Sequence, residues 1–373
     1  MRVVIEMRAL VRPGSSVAGY VTNLVRALDK ADPKNEYVLL VPRGLEGQVQ
    51  ELARRAHVIG LPKWHNVIWN QWLVPRAARK VKADLIHYTK SDSCWWRPGN
   101  LPVVTTIHGL IYRTQPKDHP AVVNAYWLFA GRRAARISRF VVAVSQSDFA
   151  DMVREGYPTE KIRVIPLGVD NAFWEAKPLE EPLQRLGLKP RGYFIQVGHF
   201  SRKKNHAFTL RVCREVLMER GLRLVFVGDD STPCGHEVRV MVREMGLENH
   251  VVFAGVINPL ERPGWIPALL HQAVASLFPS LYEGFGMPAV ESIAAGCPVL
   301  ASDRGALPEV LGADNGLSLD SAEEWEKRLR LILTSDHERT ALLEQQRRVV
   351  ERYRWETIAK DYVRLYEEAR GYA

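Results

Sequence analysis

Short apolar runs alternate with longer amphipathic segments along most of the chain. Such runs are typical of strands buried in a parallel sheet, and the amphipathic segments are typical of helices that cover it. In the first half, strands are predicted at 2–6, 37–41, 58–61, 85–88, 103–107, 140–143 and 163–165, with helices that include 20–28 and 121–137. In the second half, strands are predicted at 193–197, 223–227, 251–254, 273–278 and 298–301, before a long helical tail from Ala322. Because the pattern occurs twice, it predicts an α/β fold with two doubly wound parallel sheets.

Prolines separate the two patterns. Pro166, Pro178, Pro182 and Pro190 interrupt the sequence after the last strand of the first half, as is typical of a linker with a short helix. A chain of 373 residues is long enough for two domains that each bury a core.

The composition, with 46% hydrophobic and 25% charged residues, is that of a soluble globular protein. No apolar run reaches the roughly 18 residues of a membrane span, and the N-terminal MRVVIEM has a strand pattern rather than that of a signal peptide. We therefore expect a cytoplasmic protein. Its four cysteines lack metal-ligand spacing and are expected to be reduced thiols: Cys94, Cys213, Cys234 and Cys297.

The formal net charge of +9 is concentrated in the first half. Residues 1–170 hold 25 Lys and Arg against 14 Asp and Glu, whereas residues 171–373 hold 26 against 28. A basic half implies an acidic partner, which is a nucleic acid, an anionic membrane surface or a phosphate-bearing acceptor, unless the charge is only a solvated surface. A nucleic-acid-binding protein is therefore the non-enzyme alternative, although the sequence contains no known nucleic-acid-binding module.

The segment 281–296, LYEGFGMPAVESIAAG, holds the richest candidate chemistry. It is predicted to join a strand to a helix whose first position is Pro288, so that the free amides of the helix start form an anion site. Gly284 and Gly286 would let a phosphate approach the backbone. Glu283 is predicted to end the strand and Glu291 to lie near the first turn of the helix. A carboxylate repels a phosphate, so the two acids are expected to accept hydrogen bonds from hydroxyl groups such as those of a sugar and a ribose. The alternative is an ordinary capped helix.

The string EGFGMPAVESIAAGCPVLASDRGALPEV resembles the signature of the retaining glycosyltransferases of family 4, and Glu283 and Glu291 match their Glu-x7-Glu motif. The resemblance implies the GT-B fold, in which two Rossmann-like domains face a cleft. It implies that residues 1–168 bind the acceptor, that 353–373 pack back on this domain, and that residues 169–352 bind the nucleotide-sugar donor.

The same resemblance assigns roles to individual residues. His108 is expected to hold the sugar at the reacting face, Glu283 to orient the sugar, Glu291 to hold the ribose and Lys204 to bind the diphosphate, assisted by Lys203 or Arg202. Lysines at a helix start are unfavourable unless they meet an anion. The full set expected to bind the donor is Gly198, His199, Lys203, Lys204, Val256, Glu283, Gly284, Phe285, Gly286, Met287 and Glu291.

The loop after the first strand contains neither a GxGxxG fingerprint nor a phosphate-binding P-loop. Gly14 and Gly19 are predicted to precede the first helix. The resemblance places this loop near the acceptor, with Ala18 and Gly19 standing where many members of the family have two glycines.

Three other features of the sequence can each be interpreted in two ways. The segment 121–137, with Tyr126, Trp127 and Phe129 followed by arginines, is either a membrane-interface helix or an ordinary helix with a basic face. The tryptophans at 64, 69, 72, 95 and 96 are expected mostly in the core, with one of them able to stack on an acceptor sugar. Asp229 and Asp230 are interpreted as a turn and helix cap rather than as metal ligands.

The predicted function is that of a retaining hexosyltransferase, with GDP-mannose as the first donor considered and a glycan or lipid-linked acceptor in polysaccharide synthesis. The alternatives are a transferase that uses a UDP- or ADP-sugar, and a nucleotide-sugar epimerase or phosphorylase of the same fold. No metal or other cofactor and no nucleic-acid partner are expected. Peripheral contact with the inner face of an anionic membrane is expected from the basic first half.

Overall fold

The computed structural model describes residues 1–12, 15–114, 120–258 and 261–371. Two compact units divide the chain. Unit 1 consists of Met1–Gly168 with Tyr353–Ala373, and unit 2 consists of Val169–Arg352.

Unit 1 contains a seven-stranded sheet in which every pair of neighbouring strands is parallel. The strands are β1 (Arg2–Glu6), β2 (Glu36–Pro42), β3 (His57–Leu61), β4 (Leu85–Tyr88), β5 (Val103–Ile107), β6 (Phe140–Ala143) and β7 (Ile162–Val164). Their order in the sheet is β3-β2-β1-β4-β5-β6-β7. The chain therefore reverses its winding direction between β1 and β4, where the carboxyl ends of strands in this class of fold bind ligands.

Helices connect the strands of unit 1 as the amphipathic pattern requires. They are α1 (Ser16–Ala31), α2 (Glu46–Leu52), α3 (Asn66–Ile68), α4 (Val74–Lys80), α5 (Ile111–Thr114), α6 (Ala121–Ile137) and α7 (Gln146–Arg154). A π-helical segment, Trp69–Leu73, joins α3 to α4. The start of α1 is capped by Ser15, whose Oγ accepts a hydrogen bond from the amide of Ala18 at 3.2 Å.

Unit 2 contains a six-stranded sheet, also parallel in each pairing. Its strands are β8 (Tyr193–Val197), β9 (Arg223–Val227), β10 (Val251–Gly255), β11 (Ser276–Phe278), β12 (Val299–Ser302) and β13 (Gly316–Leu317), in the order β10-β9-β8-β11-β12-β13. Its helices are α8 (Asn171–Trp174), α9 (Glu180–Leu186), α10 (His206–Arg220), α11 (Pro233–Glu244), α12 (Trp265–Gln272), α13 (Met287–Ala294), α14 (Leu307–Leu311), α15 (Ala322–Thr334) and α16 (Asp336–Val350). The switch point of this sheet lies between β8 and β11.

The last helix, α17 (Trp355–Gly371), belongs to unit 1 and packs beside α1. The hydroxyl of Tyr362 lies 2.7 Å from that of Tyr20 on α1, and the Tyr366 hydroxyl lies 2.8 Å from Nδ1 of His87 on β4. These polar groups are buried and satisfy one another, so they fix the register of α17 on the sheet.

The predicted fold class, two parallel α/β sheets, is confirmed. Several strands have the predicted bounds, whereas β11 is shorter than the predicted 273–278, and β13 was not predicted because two residues carry no periodicity. The predicted helical tail from Ala322 is present and consists of α15, α16 and α17. The first helix starts at Ser16, so Gly19 lies inside α1 and not before it. Gly14 lies outside the described residues.

None of the four cysteines forms a disulfide, and three of them are buried. Among the described residues, no helix combines the length and the apolar composition that crossing a bilayer requires.

Candidate functional site

The loop between β11 and α13 carries the most distinctive polar residues of unit 2. β11 ends at Phe278, so Glu283 lies in the loop and does not end the strand as predicted. α13 starts at Met287, with Pro288 in its second position rather than its first, and Gly286 precedes the helix in the left-handed region with φ of 91°. Glu291 is the fifth residue of the helix and lies just beyond its first turn.

Lys204 and Glu283 form a buried ion pair at the switch point. Nζ of Lys204 donates to Oε1 of Glu283 at 2.7 Å, and the two residues are only 7% and 6% exposed. Nζ of Lys203 lies 3.9 Å from the other carboxylate oxygen. Both lysines thus precede α10 and do not open it as predicted, and the anion that they meet in this structure is the carboxylate of Glu283. Their contact with a diphosphate stays a prediction.

Lys204 is held by its backbone as well as by its side chain. It ends a 3-10 turn, Arg202–Lys204, after β8, and its carbonyl accepts a hydrogen bond of 2.8 Å from Nε2 of Gln196. Oε1 of Gln196 in turn accepts a hydrogen bond from Oγ1 of Thr209 at 2.7 Å. The φ of Asn205 is 52°, a conformation that turns the chain sharply into α10.

The ion pair determines the charge of Glu283. Burial acts to raise the pKa of its carboxyl group, but the positive charges of Lys204 and Lys203 lower that pKa below its ordinary value. Glu283 is therefore ionised at neutral pH and accepts hydrogen bonds only.

Three loops at the carboxyl edge of this sheet are tied to one another. The amide of Leu281 donates to the carbonyl of Lys203 at 2.8 Å, and the amide of Ala306 donates to the carbonyl of Glu283 at 2.9 Å. Gly305 lies so close to Glu283 that an added Cβ would stand 2.5 Å from its carbonyl oxygen. The loops after β8, β11 and β12 thus fix the position of Glu283. Gly305 lies within the string that resembles the family signature, but a sequence shows no backbone distance and so gives this glycine no role.

Glu291, unlike Glu283, lies in an environment that disfavours its ionised form. Burial and the nearby Asp170 raise the pKa of its carboxyl group to about 7, although Lys204 acts to lower it. Asp170, which caps α8, is a neighbour that sequence reasoning missed because it is far from the motif in the chain. Glu291 is partly buried.

The raised pKa of Glu291 makes the stability of the unliganded protein depend on pH. A carboxyl group whose pKa is higher in the folded state stabilises the fold below its ordinary pKa, and this contribution is lost as the pH rises through about 7. We expect Glu291→Gln to increase the free energy of unfolding by about 2 kcal/mol at pH 8 and by much less at pH 5. Urea denaturation of both proteins across this range measures the difference, and parallel curves would contradict the assignment.

The remaining donor-side residues of unit 2 differ in exposure. Gly198 follows β8, where an added Cβ would stand 3.1 Å from Cε of Lys204, so this glycine leaves room for the lysine. His199 and Arg202 are exposed, and Val256 is 68% exposed after the end of β10. The predicted set Gly284, Phe285, Gly286 and Met287 forms the turn into α13.

Asp229 and Asp230 lie in the turn after β9. Oδ1 of Asp229 accepts hydrogen bonds from the amide and hydroxyl of Ser231, and Asp230 pairs with Arg239. These contacts agree with the predicted turn, but the helix cap was wrong, because Thr232 caps α11. No group of three or more potential metal ligands is present in the described part of the chain.

The predicted residues of unit 1 lie at the carboxyl end of β5 and in α1. Nε2 of His108 is 3.0 Å from the carbonyl of Thr89, which only accepts, so Nε2 carries the proton. Burial lowers the pKa of His108 to about 4, and the ring packs edge-on against Tyr20 at 4.7 Å. Neutral His108 therefore presents Nδ1 as an acceptor.

Ala18 and Gly19 differ from the expected loop. Ala18 is buried in the first turn of α1 and its amide is used by the Ser15 cap, while Gly19 is exposed on the same helix. The amide of Gly19 donates to the carbonyl of Ser15 at 3.0 Å. Neither amide is free to bind a phosphate, so the prediction that these residues form a loop was wrong.

Two family models match the chain, and the residues that they match do not overlap. The model described as Glycosyltransferase Family 4 matches residues 17–173, and the model described as Glycosyl transferases group 1 matches residues 181–349.

Two relatives and one solved structure are similar to the chain. The MMP alpha-(1->4)-mannosyltransferase of Mycolicibacterium hassiacum is 29% identical over 283 residues, which are 72% of this chain and 66% of that relative. The O-antigen chain mannosyltransferase B of Escherichia coli is 26% identical over 253 residues, which are 66% of this chain and 65% of that relative. Both alignments thus span slightly less than two thirds of the relative's length. The structure of Anabaena HepE in complex with UDP has a TM-score of 0.74 at 18% identity and covers 98% of this chain and 99% of that chain.

The two family models together cover most of both units, and their order along the chain is that of unit 1 followed by unit 2. The fold likeness extends over nearly the full length. The chain therefore belongs to the family 4 group of glycosyltransferases with the GT-B fold.

Proposed function

We propose that this protein transfers a hexose, with retention of configuration, from a nucleotide-diphosphate sugar to a glycan or lipid-linked acceptor. The observation that carries the proposal is the buried Lys204–Glu283 pair at the switch point of unit 2, beside the start of α13. A cation, an acceptor-only carboxylate and a helix N-terminus at one edge match the parts of a sugar diphosphate.

Each group has a distinct role in this proposal. Lys204 and the start of α13 stabilise the charge that develops on the leaving diphosphate. Glu283 accepts hydrogen bonds from the sugar hydroxyls, and Glu291 accepts them from the ribose. The bond from the anomeric carbon to the phosphate oxygen breaks, the acceptor oxygen bonds to the same carbon, and the acceptor proton passes to the diphosphate. Because the leaving group is neutralised by protein groups, we propose that no metal or other cofactor is required.

The donor proposed first is GDP-mannose. Two mannosyltransferases among the relatives support the sugar, whereas the UDP bound to the Anabaena structure favours a uridine donor as the second candidate. Val256, exposed after β10, is proposed to contact the base. An epimerase or phosphorylase of the same fold would act without an acceptor or would depend on free phosphate.

Unit 1 is proposed to bind the acceptor, with His108 near the transferred sugar. The neutral imidazole, held by Thr89, offers Nδ1 to a hydroxyl group and does not act as a cation. The basic excess of residues 1–170 supports an acceptor or surface that carries negative charge.

A screen of nucleotide sugars tests the proposal. We expect one diphosphate sugar to bind and to be hydrolysed slowly without acceptor, with activity unchanged by EDTA. Glu283→Gln and Lys204→Met should remove the hydrolysis, whereas Arg211→Met, a basic residue outside the site, should not. Binding of no nucleotide sugar would refute the proposal, and loss of activity in EDTA would refute its metal-free part.

We propose in addition that the protein works in the cytoplasm at the inner face of an anionic membrane. The charge difference between the two halves of the chain supports this proposal, since basic surfaces are attracted to anionic lipid.

A further inference from the structure

Four large apolar side chains are exposed in unit 1 on the segments that follow the carboxyl ends of β3 and β4. They form what we call the tryptophan patch: Trp64, Ile68, Trp72 and Trp96, which are 54%, 38%, 55% and 43% exposed. Single exposed apolar residues are common on soluble proteins, but a group of this size marks a binding surface. The expectation that most of these tryptophans are in the core was therefore wrong, and Trp69 alone of the five is fully buried.

Local structure brings the members of the patch together. Residues 66–80 are continuous through α3, the π-helical segment and α4, so Ile68 and Trp72 are about one turn apart. The rings of Trp72 and Trp96 pack edge to face with their centroids 5.6 Å apart. Trp64 lies outside the helix, two residues before its first residue, and its carbonyl accepts a hydrogen bond of 3.0 Å from Arg8.

Buried amides beneath the patch fasten the two segments to each other. Nδ2 of Asn70 donates to the carbonyl of Asp92 at 2.5 Å, and Nε2 of Gln71 donates to the carbonyl of Ser93 at 3.2 Å. Oε1 of Gln71 accepts a hydrogen bond from the amide of Trp95 at 2.7 Å. The exposed rings thus stand on a rigid base, and π-helical segments of this kind are frequent at functional sites.

The charge of the chain segment that carries the patch indicates its partner. Residues 63–97 hold seven Lys and Arg against two Asp, and one of these, Asp92, is buried. Exposed tryptophan combined with lysine and arginine is the composition of protein surfaces at the membrane interface, where the rings lie among the headgroups and the cations meet anionic lipid. A neutral glycan would gain nothing from this excess of positive charge.

We propose that the tryptophan patch is the surface through which unit 1 docks on an anionic membrane. This inference rests on the proposed membrane association and names the residues that make it. The other candidate is α6, and one of its three aromatic residues is directed to the same loop: Phe129 packs edge-on against Trp95 at 5.4 Å, and Arg133 donates to the carbonyl of Trp95. These residues support the loop that carries Trp96.

Brominated lipid vesicles test the docking surface directly. The full chain is mixed at low salt with vesicles of phosphatidylcholine and phosphatidylglycerol whose acyl chains are brominated, and tryptophan fluorescence and flotation are measured. We expect quenching and flotation with the anionic vesicles and little of either with phosphatidylcholine alone. Trp72→Ala with Trp96→Ala should lower the partition coefficient by at least about tenfold, whereas Met218→Ala, an exposed apolar residue of unit 2, should leave it unchanged.

Nucleotide-sugar binding is measured on the same proteins, so that a failure of the membrane-docking proposal can be distinguished from a failure of the proposed transferase function. If the double variant binds the donor and still floats like the parent, the patch is not the docking surface. If no variant or parent binds vesicles, membrane docking is refuted whatever the donor screen shows. If a soluble oligosaccharide shields the tryptophans from acrylamide and vesicles do not, the patch is a glycan site and the inference is wrong.

Discussion

Lys204→Met is expected to lower kcat/KM for transfer by about a thousandfold, because it removes the buried cation proposed to stabilise the leaving diphosphate. Methionine keeps most of the length and volume of the lysine side chain, so the packing against Phe278, whose ring centre lies 5.4 Å from Nζ, is retained. Initial rates with the donor found by the screen give the value. Lys203→Met is the matched control: its Nζ lies 3.9 Å from Glu283 and is partly exposed, so a loss of less than about tenfold is expected.

The same substitution also destabilises the fold, and a double-mutant cycle separates this effect from catalysis. Alone, Lys204→Met leaves the buried carboxylate of Glu283 without its main partner, which is expected to cost about 3 kcal/mol. Adding Glu283→Gln removes that charge and should restore most of the stability. A double variant that is stable but inactive supports a role in transfer, whereas one that is stable and active would show that the pair is structural.

The sheets could be predicted from sequence because they depend on local patterns. Strands such as β1, β4 and β8 are continuous apolar runs, and their bounds are those expected. The two-residue β13 carries no such signal. The predicted strand 273–278 was longer than the observed β11 because the apolar residues 273–275 are buried without belonging to the strand.

The candidate site was predictable only in part. The sequence indicated only that Lys204 meets an anion, because its ion pair with Glu283 joins two loops that are 79 residues apart in the chain. The influence of Asp170 on Glu291 and the approach of Gly305 to Glu283 depend equally on tertiary structure. Exposure of Trp72 and Trp96 was missed because tryptophan is usually buried, and composition does not show which side of a helix faces the core.

Gly305→Ala is expected to reduce both stability and transfer because this glycine positions the backbone of Glu283. Its φ is 58°, and an added Cβ would stand 2.5 Å from the carbonyl oxygen and 2.7 Å from the amide nitrogen of Glu283. Backbone atoms held by neighbouring hydrogen bonds cannot yield as the end of a flexible side chain does. We therefore expect a loss of about 3 kcal/mol in the free energy of unfolding and a decrease of about a hundredfold in kcat from displacement of the Glu283 carboxylate.

Gly246→Ala is the control for the backbone strain alone. Gly246 also lies in unit 2 with a φ of 68°, but nothing stands within 4 Å of its added Cβ, so only the cost of the left-handed conformation remains. That cost is about 1 kcal/mol. Denaturation and steady-state kinetics of the two variants then isolate the contact with Glu283: Gly246→Ala should keep full kcat. Equal losses of stability and equal activities in the two variants would show that Gly305 serves only its own turn and does not position the carboxylate.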